Sequence, residues 1–259
     1  MAYQIVRRRA KPFPSVKLWS KFQNQLSTME LAQLTPEGII NDKVKKACVT
    51  RLKQIKMTKK SDGDPSQAAV LVPLCVHNGK VGLLYTLRSQ KVRMNRRQVS
   101  FPGGKKDKDD TTLEDTALRE TFEELNIPKD NVSVWGSGNF IHRKDVIVLP
   151  VIGFIGEVDP KSLKINTHEV EEAFVQPLEK LCDPALCRYT QFRNNYTLPA
   201  YLGGNHKIWG LTAAITHMVM SALLPDVYKH KLVYLKPIAA AHDDSFTASA
   251  VDDYEARNK

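Results

Sequence analysis

Three glutamates in one short segment constrain this chain more than any other feature of its sequence. Residues 101–127 begin with Phe-Pro-Gly-Gly, continue through a polar loop and end in a stretch that contains Glu120, Glu123 and Glu124. On a helical period of 3.6 residues, Glu120 and Glu124 lie one turn apart on the same face, with Glu123 beside them. Carboxylates this close repel one another and destabilise a helix. A hard divalent cation would remove the repulsion, since Mg²⁺ and Mn²⁺ prefer oxygen ligands.

The other side of this predicted helix explains how it would be anchored. An apolar stripe is expected to face the interior while the acidic face stays free, and it comprises Leu113, Ala117, Leu118, Phe122 and Leu125. Asn126 stands at the expected helix end, where asparagine tolerates the left-handed conformation that helix C-termini often adopt. A solvated acidic surface helix is the alternative, but such a helix would normally interleave lysines, and only Arg119 is present.

This stretch resembles the signature of a known enzyme superfamily. Gly104, the loop and the run Arg-Glu-Thr-Phe-Glu-Glu-Leu-Asn-Ile that starts at Arg119 are similar to the Nudix box. The spacing between Gly104 and Arg119 is one residue longer than the general pattern. No glutamate occupies the first acidic position, where Asp110 or Thr111 falls, and Asn126 replaces the last glycine.

The sequence upstream of the box narrows the resemblance to one branch. Residues 83–89, a basic loop and the run Val-x-Phe-Pro-Gly-Gly-x-x-Asp-x-x-Asp look like the coenzyme A diphosphatase branch of the Nudix hydrolases, which shares the longer box loop. Asp107 and Asp110 match its acidic loop positions. Over residues 65–228, the order of motifs is most similar to the mitochondrial members of that branch in animals.

The basic loop carries both the predicted substrate contacts and the departures from the branch. Asn95 and Arg97 stand where the branch has a histidine and a glycine, in a segment that the resemblance assigns to the nucleotide end of the substrate. Arginine suits bidentate pairing with phosphate, although a solvated basic loop is the alternative. The predicted substrate-binding residues are Arg88, Arg93, Arg96, Arg97, Phe101, Gly103 and Gly104.

The resemblance implies metal-dependent hydrolysis of the pyrophosphate linkage of coenzyme A or acyl-coenzyme A. The products would be adenosine 3′,5′-bisphosphate and (acyl-)4′-phosphopantetheine, and the cofactor Mg²⁺ or Mn²⁺. Glu120, Glu124 and Glu123 are the predicted metal ligands, with Glu123 as a water-mediated ligand or as the base. These three glutamates and Arg119, which would orient them, are the predicted catalytic residues. Glu169 and Glu172 are further candidates for a ligand or base; decoration of a surface turn is the alternative.

The two ends of the chain differ from the rest. The formal net charge of the 259 residues is +10, and no acidic residue precedes Glu30. A basic, acid-free, amphipathic leader resembles a mitochondrial transit peptide, so residues 1–35 are predicted to direct the chain to the mitochondrial matrix. The alternatives are a disordered basic arm and a cytosolic location. Residues 229–259 are predicted to form a disordered tail.

Between the ends we expect a helical extension and linker (residues 36–64) and one Nudix domain (residues 65–228). The expected fold class is α/β, a Nudix α/β/α sandwich with a mixed central β-sheet and an N-terminal helical extension. Runs at 68–76 and 81–87 around Asn78-Gly79 predict a hairpin, with Pro73 indicating an edge strand or a bulge. An apolar segment at 208–224 predicts a buried core helix in which His217 is a satisfied core histidine.

Partners follow from the same patterns. We expect a coenzyme A or acyl-coenzyme A substrate, no stable nucleic acid partner and no membrane span; the oligomeric state is not determined by the sequence. Four scattered cysteines do not match a zinc site or a disulfide framework. Two alternative functions stay open: a Nudix hydrolase for another nucleoside diphosphate derivative or an RNA cap, and a non-catalytic nucleotide- or RNA-binding protein.

Overall fold

The computed structural model describes residues 26–55, 65–143, 146–191 and 197–231. Most of the predicted leader, the linker at 56–64 and nearly all of the predicted tail therefore lie outside the described residues.

The described residues form both helices and strands. The helices are α1 (Thr28–Ala32), α2 (Pro36–Ile39), α3 (Asp42–Leu52), α4 (Leu113–Leu125), α5 (Leu178–Cys182) and α6 (Gly210–Leu223). The strands are β1 (Ser66–His77), β2 (Lys80–Arg88), β3 (Val99–Ser100), β4 (Gly103–Lys105), β5 (Ser133–Ser137), β6 (Ile141–Arg143), β7 (Val146–Glu157), β8 (Val170–Pro177), β9 (Cys187–Gln191) and β10 (Thr197–Tyr201). None of the helices in this part of the chain is long and apolar enough to cross a membrane.

The central sheet is mixed, as the sequence predicts. Its strand order is β3-β2-β1-β7-β5, with β4 also paired to β1, β6 to β7 and β8 to β2. β1 and β7 run parallel, and the other pairs are antiparallel. The predicted hairpin is β1–β2, and its turn residues Asn78 and Gly79 have φ of 50° and 72°. Positive φ at both turn positions is what a tight hairpin of this kind requires.

Pro73 lies in a central strand, so the predicted edge position is wrong. β4 pairs with β1 up to Val70, and β2 pairs with it from Leu74 onward. The proline falls between these two antiparallel pairings, where its missing N–H interrupts neither of them. The predicted irregularity lies just after the proline in the sequence, where the register against β7 shifts between Leu74 and Val76.

The two faces of the sheet are covered by different helices, which makes the α/β/α sandwich. On one face, α4 packs through Ala117 and Leu125 on Leu71 and Leu84. On the other face, the buried side chains of α3 and α6 pack with Leu83 and Tyr85 of β2. The predicted core helix is thus confirmed as α6. Nδ1 of His217 lies 2.8 Å from the Tyr228 hydroxyl, so this histidine is satisfied within the core.

The N-terminal helices belong to the same core. Ile39, Cys48 and Leu52 are buried together with residues of α6. Nη1 of Arg51 donates to the carbonyl of Ala222 at 2.9 Å. Leu34 is also buried, and Glu30 pairs with Lys229 at 2.6 Å. Residues 26–34, which the sequence assigns to the leader, therefore include side chains that pack with the domain, such as Leu26 and Leu34.

The helix α4 is rotated from its predicted orientation. It begins with a capping box between Thr112 and Asp115, and it ends at Asn126, which has the expected left-handed φ of 55°. Phe122, predicted to face the interior, is 49% exposed, whereas Glu124, predicted on the free face, is only 2% exposed. The prediction for these two side chains is wrong because the sheet receives the face that carries Glu124, beside Arg88 of β2.

Candidate active site

Three carboxylates meet at the end of the sheet. Oxygen atoms of Glu120, Glu124 and Glu169 all lie within 4.8 Å of one another. The first two come from α4, and Glu169 directly precedes β8. Asn166 couples the two segments, because its N–H donates to the carbonyl of Glu124 at 2.9 Å and its Nδ2 to Oε1 of Glu169 at 3.3 Å. The structure thus brings Glu169, a further candidate from the sequence, next to two of the predicted ligands.

The carboxylate cluster is held in an unfavourable electrostatic state. The pKa of Glu124 is raised to about 8, chiefly by burial; the charge of Arg88 opposes this shift, and the neighbouring Glu120 and Glu169 add to it. Burial also raises the pKa of Glu120. Oε2 of Glu124 is buried and has no hydrogen-bond partner among the described residues. Since an unpaired buried acceptor is costly, this set of oxygens fits a hard divalent cation.

Arg119 organises the acidic helix, and Asp110 holds Arg119. The guanidinium of Arg119 donates to Oε2 of Glu123 at 3.0 Å and to Oε1 of Glu120 at 3.1 Å. It also donates through Nε and Nη2 to the two oxygens of Asp110, at 2.9 and 3.0 Å. This guanidinium holds the pKa of the Asp110 carboxyl well below its usual range. The contact between Arg119 and the glutamates was predicted; the bidentate contact with the buried Asp110 was not, although Asp110 was noted as an acidic loop position.

Glu123 and Glu172 lie outside the carboxylate cluster. Glu123 has a 48% exposed side chain and pairs with Arg119, and it is not one of the three close carboxylates. The carboxylate of Glu172 lies 2.8 Å from Nε2 of His206. Of the two further candidates from the sequence, the structure thus brings Glu169 and not Glu172 to the cluster.

The glycine pair allows β4 to approach the helix. A Cβ atom on Gly104 would overlap the carboxylate of Glu120. Gly103 has φ of 153°, and a Cβ atom there would collide with the backbone of Ala69. Phe101, by contrast, is buried and stacks on Tyr85 with ring centroids 4.6 Å apart. The structure therefore places Phe101 in the core rather than at the carboxylates.

The predicted arginines of the basic loop do not converge on one group. Nη1 of Arg88 lies 4.0 Å from Oε1 of Glu124, and the buried Nε of Arg88 has no hydrogen-bond partner among the described residues. Nε of Arg96 donates to the carbonyl of Val92 at 2.8 Å. Arg97 lies 3.6 Å from Glu171, and Arg93 is exposed. Arg88 is the arginine of this loop that faces the carboxylate cluster.

The sequence of the chain is similar to those of known proteins. The family model of the NUDIX domain matches residues 65–197. The chain is 43% identical over 177 residues to a "Mitochondrial coenzyme A diphosphatase NUDT8" of Homo sapiens, which covers 66% of this chain and 75% of that protein. The identity to the protein of the same name from Mus musculus is 43%, over 65% of this chain and 83% of that protein. A "Nudix hydrolase 3" of Caenorhabditis elegans is 36% identical, over 67% of this chain and 80% of that protein.

Proposed function

This chain belongs to the Nudix family, and on that premise we propose that it hydrolyses the pyrophosphate linkage of coenzyme A or acyl-coenzyme A. The products would be adenosine 3′,5′-bisphosphate and 4′-phosphopantetheine or its acyl derivative. The observation that carries the proposal is the carboxylate cluster of Glu120, Glu124 and Glu169 beside Arg88. The names of two relatives, both mitochondrial coenzyme A diphosphatases, support the substrate class.

The buried carboxylates are suited to hold the cofactor. Glu120, Glu124 and Glu169 would bind Mg²⁺ or Mn²⁺, and the unpaired Oε2 of Glu124 supports this assignment. When bound there, the cation would supply positive charge that neutralises the phosphate oxygens and would make water easier to deprotonate. Arg88 would add a fixed positive charge on the same side, where charge accumulates in the transition state.

The remaining residues would orient the glutamates or accept a proton. Arg119 keeps Glu120 and Glu123 in place through its two hydrogen bonds, and Asp110 keeps Arg119 in place. The attacking water must lose a proton, and a carboxylate near the cluster can accept it. Because Glu169 is assigned to the cation, Glu123 is the candidate for this base, and Glu123→Gln should lower kcat.

Location is a separate part of the proposal. We expect the mitochondrial matrix, supported by the basic leader and by the names of two relatives. Because Leu26 packs against the core and Ser27 caps α1, a removed leader would end before these two residues. A fluorescent fusion of residues 1–35 should enter mitochondria; a fusion that stays in the cytosol contradicts this part.

A substrate panel tests the activity itself. The full chain is incubated with coenzyme A, acetyl-coenzyme A, other nucleoside diphosphate derivatives and capped RNA, with Mg²⁺ or Mn²⁺, and the products are identified by mass spectrometry. We expect cleavage of the coenzyme A compounds. Preferred turnover of another diphosphate or of capped RNA would establish an alternative function, and binding without turnover of any compound would indicate a non-catalytic protein.

One variant tests the cluster. Glu124→Gln should lower turnover by at least about a hundredfold, because removing an electrostatic contributor in such a site costs about 3–4 kcal/mol. Its fold should survive, since glutamine is neutral and of the same shape. Wild type should gain thermal stability on addition of Mn²⁺, and the variant should not. Glu114→Gln, on the first turn of the same helix, is the matched control. Full turnover in Glu124→Gln would refute the metal assignment.

A further inference from the structure

The loop between β2 and β3 ends in a bulge at Arg97. The N–H of Arg97 donates to the carbonyl of Arg88 at 3.0 Å, and the N–H of Arg88 donates to the carbonyl of Gln98 at 3.0 Å. The next pair along the strands is Leu87 with Val99. Two residues, Arg97 and Gln98, therefore stand opposite the single residue Arg88. In the bulge with this hydrogen-bond pattern, the first residue adopts a left-handed conformation and is normally glycine.

Arg97 occupies that glycine position with a left-handed backbone. Its φ is 54°, a conformation that costs energy in a residue with a Cβ atom. The loop is held from both ends and cannot relax freely. Gln98 donates to the carbonyl of Asn95 at 3.2 Å, and Ser89 donates to the carbonyl of Glu169 at 2.8 Å. A non-glycine residue retained in such a conformation points to a use for its side chain.

The guanidinium of Arg97 has its own place in the site. It is 58% exposed and lies 3.6 Å from Glu171, which is outside the carboxylate cluster. Arg88 is 26% exposed and faces Glu124 of the cluster. Two arginines joined by one backbone hydrogen bond thus face two different carboxylates. One cationic position lies at the cluster, and another lies at Glu171, in the same segment as Glu169.

We infer that Arg97 binds a phosphate monoester of the substrate that is separate from the pyrophosphate to be cleaved. The inference rests on the proposed function, because coenzyme A carries such a group, the 3′-phosphate of its ribose. The guanidinium fork matches the geometry of a phosphate and pairs with it through two parallel hydrogen bonds. The contact with Glu171, at 3.6 Å, is longer than a hydrogen bond, so a dianionic phosphate displaces it readily.

The decisive measurement compares coenzyme A with 3′-dephospho-coenzyme A. Wild type, Arg97→Gly and Arg97→Ala are assayed for kcat and KM on both compounds. We expect both variants to lose roughly ten- to a hundredfold in kcat/KM on coenzyme A, through KM, which is the range for hydrogen bonds to a charged group. Their kcat/KM on the dephospho compound should equal that of wild type. Equal losses on both compounds, or no loss on coenzyme A, would overturn the inference.

Measurements of Tm separate the effect of the Arg97 backbone conformation from the effect of its side chain. Arg97→Gly should raise Tm by about 2–4 °C, because glycine adopts the left-handed conformation without strain. Arg97→Ala should not, since alanine keeps the Cβ atom. A lower Tm in Arg97→Gly would show that the arginine is retained for folding. Lys43→Ala on α3, which removes one exposed positive charge outside the loop, controls for net charge and should leave both activities and Tm unchanged.

A binding experiment keeps this inference distinct from the proposed function. Adenosine 3′,5′-bisphosphate and adenosine 5′-monophosphate are titrated into wild type and Arg97→Gly by calorimetry, which needs no turnover. Wild type should prefer the bisphosphate, and the variant should bind the two compounds equally. If wild type does not cleave coenzyme A, the proposed function fails, yet a preference lost in the variant still supports the role of Arg97. The same preference in both proteins refutes it.

Discussion

Replacing Asp110 by asparagine tests whether the carboxylate of Asp110 holds Arg119 in place on the acidic helix α4. Asp110 is 7% exposed and accepts four hydrogen bonds. Two come from Arg119, one from the Thr116 hydroxyl at 2.9 Å, and one from the N–H of Asp107 at 2.9 Å. Asparagine keeps one oxygen but places an amide group where the second oxygen accepts. The two contacts with the charged Arg119 are therefore lost or weakened.

The size of the effect follows from these contacts. Hydrogen bonds to charged groups contribute about 1.5–3 kcal/mol each. The guanidinium of Arg119 is 29% exposed, and solvent screening reduces that sum. We expect Asp110→Asn to lower the free energy of unfolding by about 3 kcal/mol, which corresponds to a fall in Tm of about 6–12 °C. Below that Tm, kcat should fall more than KM rises, because Arg119 orients Glu120 and Glu123 rather than the substrate.

The effect has a definite pH dependence. The folded pKa of Asp110 lies below its ordinary value. The stability that its ionised carboxylate contributes is therefore complete above about pH 4 and is lost as the pH falls toward the folded pKa. The difference between wild type and Asp110→Asn should stay constant from pH 8 to pH 5 and shrink below about pH 4.

Urea denaturation followed by tryptophan fluorescence measures this difference. Asp107→Asn is the matched control, because it makes the same change in the same loop at an exposed residue whose carboxylate accepts from the N–H of Lys108 rather than from Arg119. It should change the free energy of unfolding by less than about 0.5 kcal/mol. A loss below about 1 kcal/mol in Asp110→Asn, or an equal loss in the control, would refute the role assigned to the Asp110–Arg119 contact.

Three further changes test other parts of the structure. Gly104→Ala should lower kcat/KM more than tenfold with a Tm change of a few degrees at most, because the new methyl group meets the movable end of Glu120. Burial lowers the pKa of His217 to about 4, so its protonation favours unfolding by up to about 3 kcal/mol as the pH falls from 6.5 to 4. His217→Gln should therefore lose less stability over this pH range than wild type. An unchanged slope of unfolding free energy against pH contradicts this. Ile39→Ala should cost about 3 kcal/mol in chemical denaturation, because α2 packs into the main core; a cost near zero would mean that the extension packs loosely.

Local patterns in the sequence were sufficient for several features. The Asn78-Gly79 turn and its hairpin, the end of α4 at Asn126, and the proximity of Glu120 to Glu124 all follow from rules that act over a few residues. The mixed α/β sheet was predicted through the resemblance and is confirmed. The apolar segment of α6 was long and uniform enough to be placed in the core.

The errors and omissions share one physical cause. The positions of Phe122 and Glu124 depend on which face of α4 meets the sheet, and helical periodicity alone left the acidic side outward. Pro73 was assigned to an edge because the switch of β1 between two antiparallel partners is not visible in a short apolar run. In each case a contact between distant segments overrides a local preference.

The sequence by itself therefore determined the acidic helix, the glycine pair and the basic loop, together with the family that they indicate. The tertiary structure alone decided which groups of these segments meet. It brought Glu169 to Glu120 and Glu124, set Asp110 behind Arg119, and placed Arg97 in a left-handed bulge beside Arg88. The reason is that helical spacing determines neighbours within one turn. Loop conformation, strand pairing and packing determine the other neighbours, whether they are 9 residues apart, as Asp110 and Arg119 are, or far apart in the sequence, as Ser89 and Glu169 are.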